Sequence, residues 1–159
     1  MNITPLRVEH IDKVHDLMEL GEPFIRVRGL SDYWLYAELF SSTCPVMIDE
    51  DDMLTGAVIA FRSQDNPAEV YIQDVMVHPG HRQQGIARAL LHSVRIQAER
   101  WSCTRIYLTS EPENQAAHSA WIALGYINIP GDHQIDGISV ITDYKGPGRS
   151  RAVYEFNLD

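Results

Sequence analysis

Cysteine is nearly absent: Cys44 and Cys103 are the only two, and they are not in CxxC spacing. Two such distant thiols supply neither a disulfide framework nor a thiolate metal site. No apolar run approaches the roughly 20 residues that cross a bilayer, and the opening MNITPLRVEH lacks the apolar core of a secretory leader. The expected setting is cytoplasmic, with no membrane partner. Positive charge is scarce too, with 13 Lys and Arg against 22 Asp and Glu and a formal charge of −9. That balance excludes a broad nucleic-acid surface and favours a cationic substrate. Both well-known phosphate loops are missing, the GxxxxGK[ST] loop and the GxGxxG turn followed by a distant acid. There is no internal repeat and no linker composition.

What is present fits one domain over residues 1–159, in which 45% of residues are hydrophobic. A chain of this length buries about two-thirds of its unfolded surface. Residues 2–8 suggest a first strand, and 8–20 a helix with Val8, Ile11, Val14, Leu17, Met18 and Leu20 at helical spacing. A second helix is expected over 32–40, capped by Ser31 or Asp32. Segments 45–48 and 54–62 form a hairpin, 69–77 a fourth strand, 105–109 a fifth, 114–124 a helix stopped by Gly125, and 126–129 and 151–158 the last strands. The intervening stretch, GDHQIDGISVITDYKGPGRS, is dense in Gly, Pro and Asp and gives no pattern. The class is α/β (α+β): a mixed sheet of six or seven strands with helices on both faces, its fourth and fifth strands parallel across a right-handed helical crossover.

That crossover carries the most informative stretch, VMVHPGHRQQGIARALLHSVRIQAERW from Val75 to Trp101. A strand passes through Pro79 and Gly80 into Arg82, Gln83, Gln84, Gly85, Ile86 and Ala87, and then into a long helix. The first-turn N–H groups of a helix lack intrahelical partners and carry partial positive charge, which suits a pyrophosphate. Gly85 admits close approach of the backbone, Ala87 is nearly as small, and Arg82 adds a charge-assisted contact. Arg95 and Arg100, further along, belong to a solvated helix face. His78 and His81 with His92 do not make a metal site, because Pro79-Gly80 intervenes and no carboxylate or cysteine completes the set. No metal is expected.

The residues Val75-Met76-Val77, His78-Pro79 and Arg82-Gln-Gln-Gly85-Ile-Ala87, followed by Ala89-Leu90-Leu91, resemble the GNAT superfamily of acetyl-coenzyme A-dependent N-acetyltransferases, whose signature is [QR]xxGx[GA]. A second block, Asn114, Ala117 and Leu124-Gly125-Tyr126, is similar to that family's NxxA…LGF spacing. The resemblance implies a mostly antiparallel sheet splayed between strands four and five. Acetyl-CoA would lie in the opening, its arm against Val75, Met76 and Val77, its pyrophosphate on residues Gln83 to Ala87, and Asn114, Ala117 and Trp121 beside it. Asn114 also suits a helix N-cap.

Acetyl transfer to an amine needs the amine neutral, yet an ordinary alkylammonium is neutral in only about one molecule in two thousand at pH 7, a deficit of roughly 4–5 kcal/mol. A base is required. The resemblance favours Asp74, with Gln73 positioning a water, and Glu111 in reserve. Strand alternation would place Ile72, Asp74 and Met76 on one face, and Tyr71, Gln73 and Val75 on the other. Asp74 serves equally as a structural hydrogen-bond acceptor. Where the family often holds a tyrosine near the coenzyme sulfur, this sequence has Trp121, whose indole cannot release a proton. Three consequences are open: an unassisted thiolate, assistance from His118 or Tyr126, or slow turnover.

The implied function is acetyl transfer to a primary amine of a small molecule, with Asp32, Tyr33, Tyr36 and Glu38 of the second helix as candidate acceptor contacts. The aromatics there serve equally as core. The alternatives are a protein N-terminus or lysine acceptor, and an acyl-CoA-binding regulatory protein with little catalysis. The resemblance extends to a possible homodimer through the terminal strands.

Overall fold

A computed structural model describes all residues from Met1 to Asp159. Seven strands form the main sheet: β1 (Asn2–Pro5), β2 (Pro45–Ile48), β3 (Leu54–Arg62), β4 (Glu69–Val77), β5 (Arg105–Ser110), β6 (Ile127–Asn128) and β9 (Ala152–Asn157). Their order is β1-β2-β3-β4-β5-β9-β6, and only β4 and β5 run parallel. The helices α1 (Ile11–Glu19) and α2 (Leu30–Leu39) cover one face, α3 (Ile86–Arg100) and α4 (Gln115–Ala123) the other. No helix is long and apolar enough to cross a membrane.

The sheet is buried on both sides because β3 is apolar at every position from Val58 to Phe61, and its alternation feeds two cores. Val58 and Ala60 pack with Leu90, Val94 and Ile106 beneath α3, while Ala57 and Ile59 pack with Val14, Met18 and Tyr33 beneath α1 and α2. Gly56 permits the close seating of α3, since a Cβ there would meet Ile86 Cγ2 at 2.6 Å. Ile86, Leu90 and Val94, all but fully buried, each contribute about 1.5–3 kcal/mol to that seating.

Strand β4 does not alternate as its sequence suggests. Ile59 lies opposite Asp74 but Ala60 lies opposite Ile72, so Gln73 is an extra residue bulged out of the ladder. Ile72 therefore faces α3, while Asp74 and Met76 face α1 and α2. Ile72 does not share a face with Asp74, because the bulge shifts the parity between them.

Strands β4 and β5 pair only from Glu69↔Arg105 to Ile72↔Leu108; beyond the bulge they part. Arg105 closes the base of the split. Its Nε donates to Glu155 on β9 at 2.6 Å, its Nη1 lies 3.4 Å from Glu69 on β4, and its guanidinium sits 4.3 Å from the Tyr107 ring centroid.

Other boundaries moved for local reasons. The first helix opens as a 3-10 turn over Val8–His10 before α1. In α2, Gly29 rather than Ser31 or Asp32 occupies the N-cap, and Asp32 Oδ2 accepts from the Gly29 N–H at 3.0 Å. The patternless segment contains a two-stranded hairpin, β7 (His133–Ile135) with β8 (Ile138–Val140).

Candidate active site

The turn before α3 departs from right-handed backbone twice, at Gln83 with φ 62° and at Gly85 with φ 76°. Alternating hands of this kind gather successive N–H groups into a concave anion site. Gly85 is the N-cap of α3 and has no capping side chain, so the first-turn N–H groups stay available. A Cβ built on Gly85 would meet nothing within 4 Å, which shows that this side of the turn is open. Here lies a cavity of about 300 Å³ lined by Val77, Arg82, Gln83, Gly85, Ile86 and Ala87 among others.

A second cavity, of about 390 Å³, fills the split between β4 and β5 and shares Val77, Arg82 and Ala87 with the first. The His78 N–H donates to Thr55 O at 2.8 Å, and the register sets Val77 opposite Gly56 and Val75 opposite Val58. Antiparallel geometry then turns the peptide groups of Val75 and Val77 away from β3 and into the split, while those of Met76 and Asp74 are spent on β3. Asn114, Ala117 and Trp121 line the far wall.

A third cavity, of about 320 Å³, opens on the α1 and α2 side and meets the second at Phe24, Gln73, Asp74, Thr109 and Asn114. Asp74 is thus the carboxylate at the junction. It is 8% exposed, and its Oδ2 has no hydrogen-bond partner. Burial pushes its pKa from 3.8 up to about 6, against a smaller opposing pull from Arg28 and Lys145. The carboxyl group is therefore mostly ionised at neutral pH yet far more basic than an exposed one.

The profile of the acetyltransferase (GNAT) family matches residues 12–126. This chain belongs to the GNAT family. Over 104 residues it is 27% identical to the L-2,4-diaminobutyric acid acetyltransferase of Vibrio cholerae serotype O1, an alignment covering 65% of this chain and 59% of that relative. The chain thus spans less than two-thirds of the curated relative it matches. Among solved structures, the diaminobutyrate acetyltransferase of Paenibacillus lautus, in complex with L-2,4-diaminobutyric acid and coenzyme A, superposes with a TM-score of 0.77 at 20% identity, covering 98% of this chain and 93% of that one. The ribosomal-protein-S18-alanine N-acetyltransferase of Escherichia coli gives 0.72 at 14% identity, over 99% and 94%. Both share the GNAT fold.

The residues expected to hold the coenzyme fall along one track. Arg82, Gln83, Gly85, Ile86 and Ala87 line the turn cavity, and Val75, Met76, Val77, Asn114, Ala117 and Trp121 line the split. Asn114 also caps α4, its Oδ1 accepting from the Ala117 N–H at 3.0 Å. Glu111 stands at the rim of the third cavity, 3.5 Å from Arg151 Nη2. His118 does not join them: its Nδ1 lies 2.7 Å from the hydroxyl of Tyr154, whose pKa burial pushes up to about 12. Nor does Tyr126, which is 6% exposed and packs edge-on against Trp121.

The four acceptor contacts expected on α2 lie outside all three of these cavities. Tyr33 is fully buried, and its hydroxyl accepts from the Arg28 N–H at 3.0 Å. Tyr36 packs on Phe61, Asp32 is held at the helix start, and Glu38 is exposed to solvent. Tyr33 and Tyr36 belong to the core because that face of α2 packs towards β3, while Trp34 is half exposed. What sequence reasoning missed is the wall of the third cavity: Tyr71, whose hydroxyl is 3.1 Å from Thr109 Oγ1, and the cations Arg26, Arg28, Lys145, Arg149 and Arg151. A usable signal existed, since RVRG and KGPGRSR hold five of the chain's 13 basic residues.

Proposed function

We propose that this GNAT protein transfers the acetyl group of acetyl-CoA to the primary amine of a small molecule. The observation that carries this is Asp74, buried and unpartnered where two cavities meet, one leading back to an anion-binding helix start and the other out to solvent. The names of its diaminobutyrate-acetylating relatives support a small amine.

The coenzyme supplies an activated thioester. Around it, the N–H groups from Gln83 to Ala87 and the Arg82 guanidinium hold the pyrophosphate, and the peptide groups of Val75 and Val77 pair with the arm. The free N–H of Val75 would polarise the acyl carbonyl. An acceptor entering through the third cavity delivers its proton to Asp74, directly or through a water held by Gln73. The amine nitrogen bonds to the acyl carbon as the carbon–sulfur bond breaks, the sulfur leaves as thiolate, and the second proton shed by the nitrogen passes to that thiolate or to solvent. A thiol pKa of about 8.5 lets it leave unassisted, so Trp121 need only shape the wall.

Calorimetric titration with acetyl-CoA, combined with thiol release across an amine panel, tests this reading. Binding followed by release is expected. Binding without release for every amine would leave the acyl-CoA-binding regulatory reading, and no binding would remove both.

A further inference from the structure

We infer that the acceptor amine carries two negative charges, as two carboxylates or as one phosphate ester. This rests on the acetyl-transfer reading of the site. In a chain of formal charge −9, five cations converge on one cavity. Arg26, Arg28, Lys145 and Arg149 have no carboxylate within 4.0 Å, and Arg151 alone has a carboxylate partner, Glu111 at 3.5 Å. A chain so rich in acids has left its own acids off these side chains. The Arg28 Nε is buried without any partner. An unpaired buried guanidinium N–H is costly, yet no acid of this chain has been spent on the Arg28 side chain.

The backbone segments that carry Arg28, Lys145 and Arg149 are fixed by their own hydrogen bonds. Tyr33 anchors the Arg28 backbone from within the core. Lys145 and Arg149 face each other across a closed turn, the Lys145 N–H donating to Arg149 O at 3.1 Å, with Asp143 Oδ1 accepting from the Gly148 N–H at 2.9 Å. Lys145 Nζ lies 5.5 Å from the Tyr71 ring centroid, directing it over the cavity wall. Coenzyme phosphates do not account for this charge, because the cavity shares no lining residue with the one at the α3 turn. A monocarboxylate with a reacting neutral amine would bring one negative charge to four unpaired cations. Two negative charges bring the site closer to balance while leaving Asp74 free for the proton.

Thiol release from acetyl-CoA would be compared within matched pairs: L-glutamate against L-glutamine, and O-phosphoethanolamine against ethanolamine, with L-2,4-diaminobutyrate and a peptide with an acidic N-terminus alongside. We expect the dianionic member of at least one pair to exceed its partner and diaminobutyrate by about tenfold or more in kcat/KM. Which pair responds separates carboxylate from phosphate. The doubly substituted Lys145→Gln, Arg149→Gln variant, altered only at an exposed turn, should raise KM for that acceptor about tenfold with kcat little changed. In a separate thermal-shift measurement, glutarate or inorganic phosphate should stabilise the wild type and not the variant. Equal rates within both pairs, faster reaction of diaminobutyrate or of the peptide, or an unchanged KM in the variant would overturn the inference. If no amine releases thiol, it is the acetyl-transfer reading that fails; the thermal shift then still decides, since absence of dianion stabilisation overturns an anion site.

Discussion

Replacing Asp74 by Asn should make the protein both inactive and more stable, with a pH dependence fixed by one carboxyl group. Its pKa of about 6 in the fold stands against 3.8 for the ordinary group, because burial opposes the charge. The folded state thus holds the proton more tightly than the unfolded chain. Stability contributed by that protonation is full below pH 4 and is lost as pH rises through about 6. Each tenfold difference in proton affinity is worth about 1.4 kcal/mol, so wild type bears about 3 kcal/mol of strain from this group at pH 8, about half that at pH 5, and almost none towards pH 3. The uncharged amide removes it. Urea or thermal unfolding of both proteins across this range should show the Asn variant ahead by roughly 6–12 °C at pH 8, with the gap closing in acid. On the kinetic side, kcat/KM of the wild type should rise with pH through about 6, and the variant should lack that limb. A variant no more stable than wild type at pH 8, or ahead by the same margin at pH 5 and pH 8, would refute the raised pKa and with it the case for Asp74 as the base.

Two further outcomes follow from the fold. Gly85→Asp places a side chain and a negative charge at φ 76° beside the proposed pyrophosphate, so acetyl-CoA should bind at least about tenfold more weakly by calorimetry; an unchanged dissociation constant would mean the anion site is elsewhere. Arg105→Met leaves Glu69 and Glu155, each about one-fifth exposed, facing one another without a cation. The loss should be about 2–4 kcal/mol in a denaturation experiment, and a change under about 0.5 kcal/mol would show that water already screens the triad.

Much of the architecture was legible. Strand β4 begins and ends where its apolar pattern does, α3 follows its apolar stripe, and Asn114 caps α4 as its spacing suggests. The bulge at Gln73 was not legible, because the parity of β4 is set by its register with β3 and not by its own residues. The cationic wall of the third cavity was hidden for another reason: Arg28 and Lys145 lie more than a hundred positions apart, and only the closed sheet brings them to one cavity. Net charge gave no view of it, since an average over the surface says nothing about one concave patch. The β7–β8 hairpin did carry a signal, Asp136-Gly137 with φ of 50° and 82°, the pairing that two-residue turns favour. Surrounding glycines and aspartates diluted it.

The turn bearing Lys145 and Arg149 is tied to itself by Asp143 and joined to the framework through the Ile141↔Arg151 bridge. It behaves as a replaceable insert. On the proposed acetyl-transfer reading, exchanging residues 142–150 should change which acceptors are admitted while β4 and the α3 turn stay intact, so the clientele could change without rebuilding the rest of the fold.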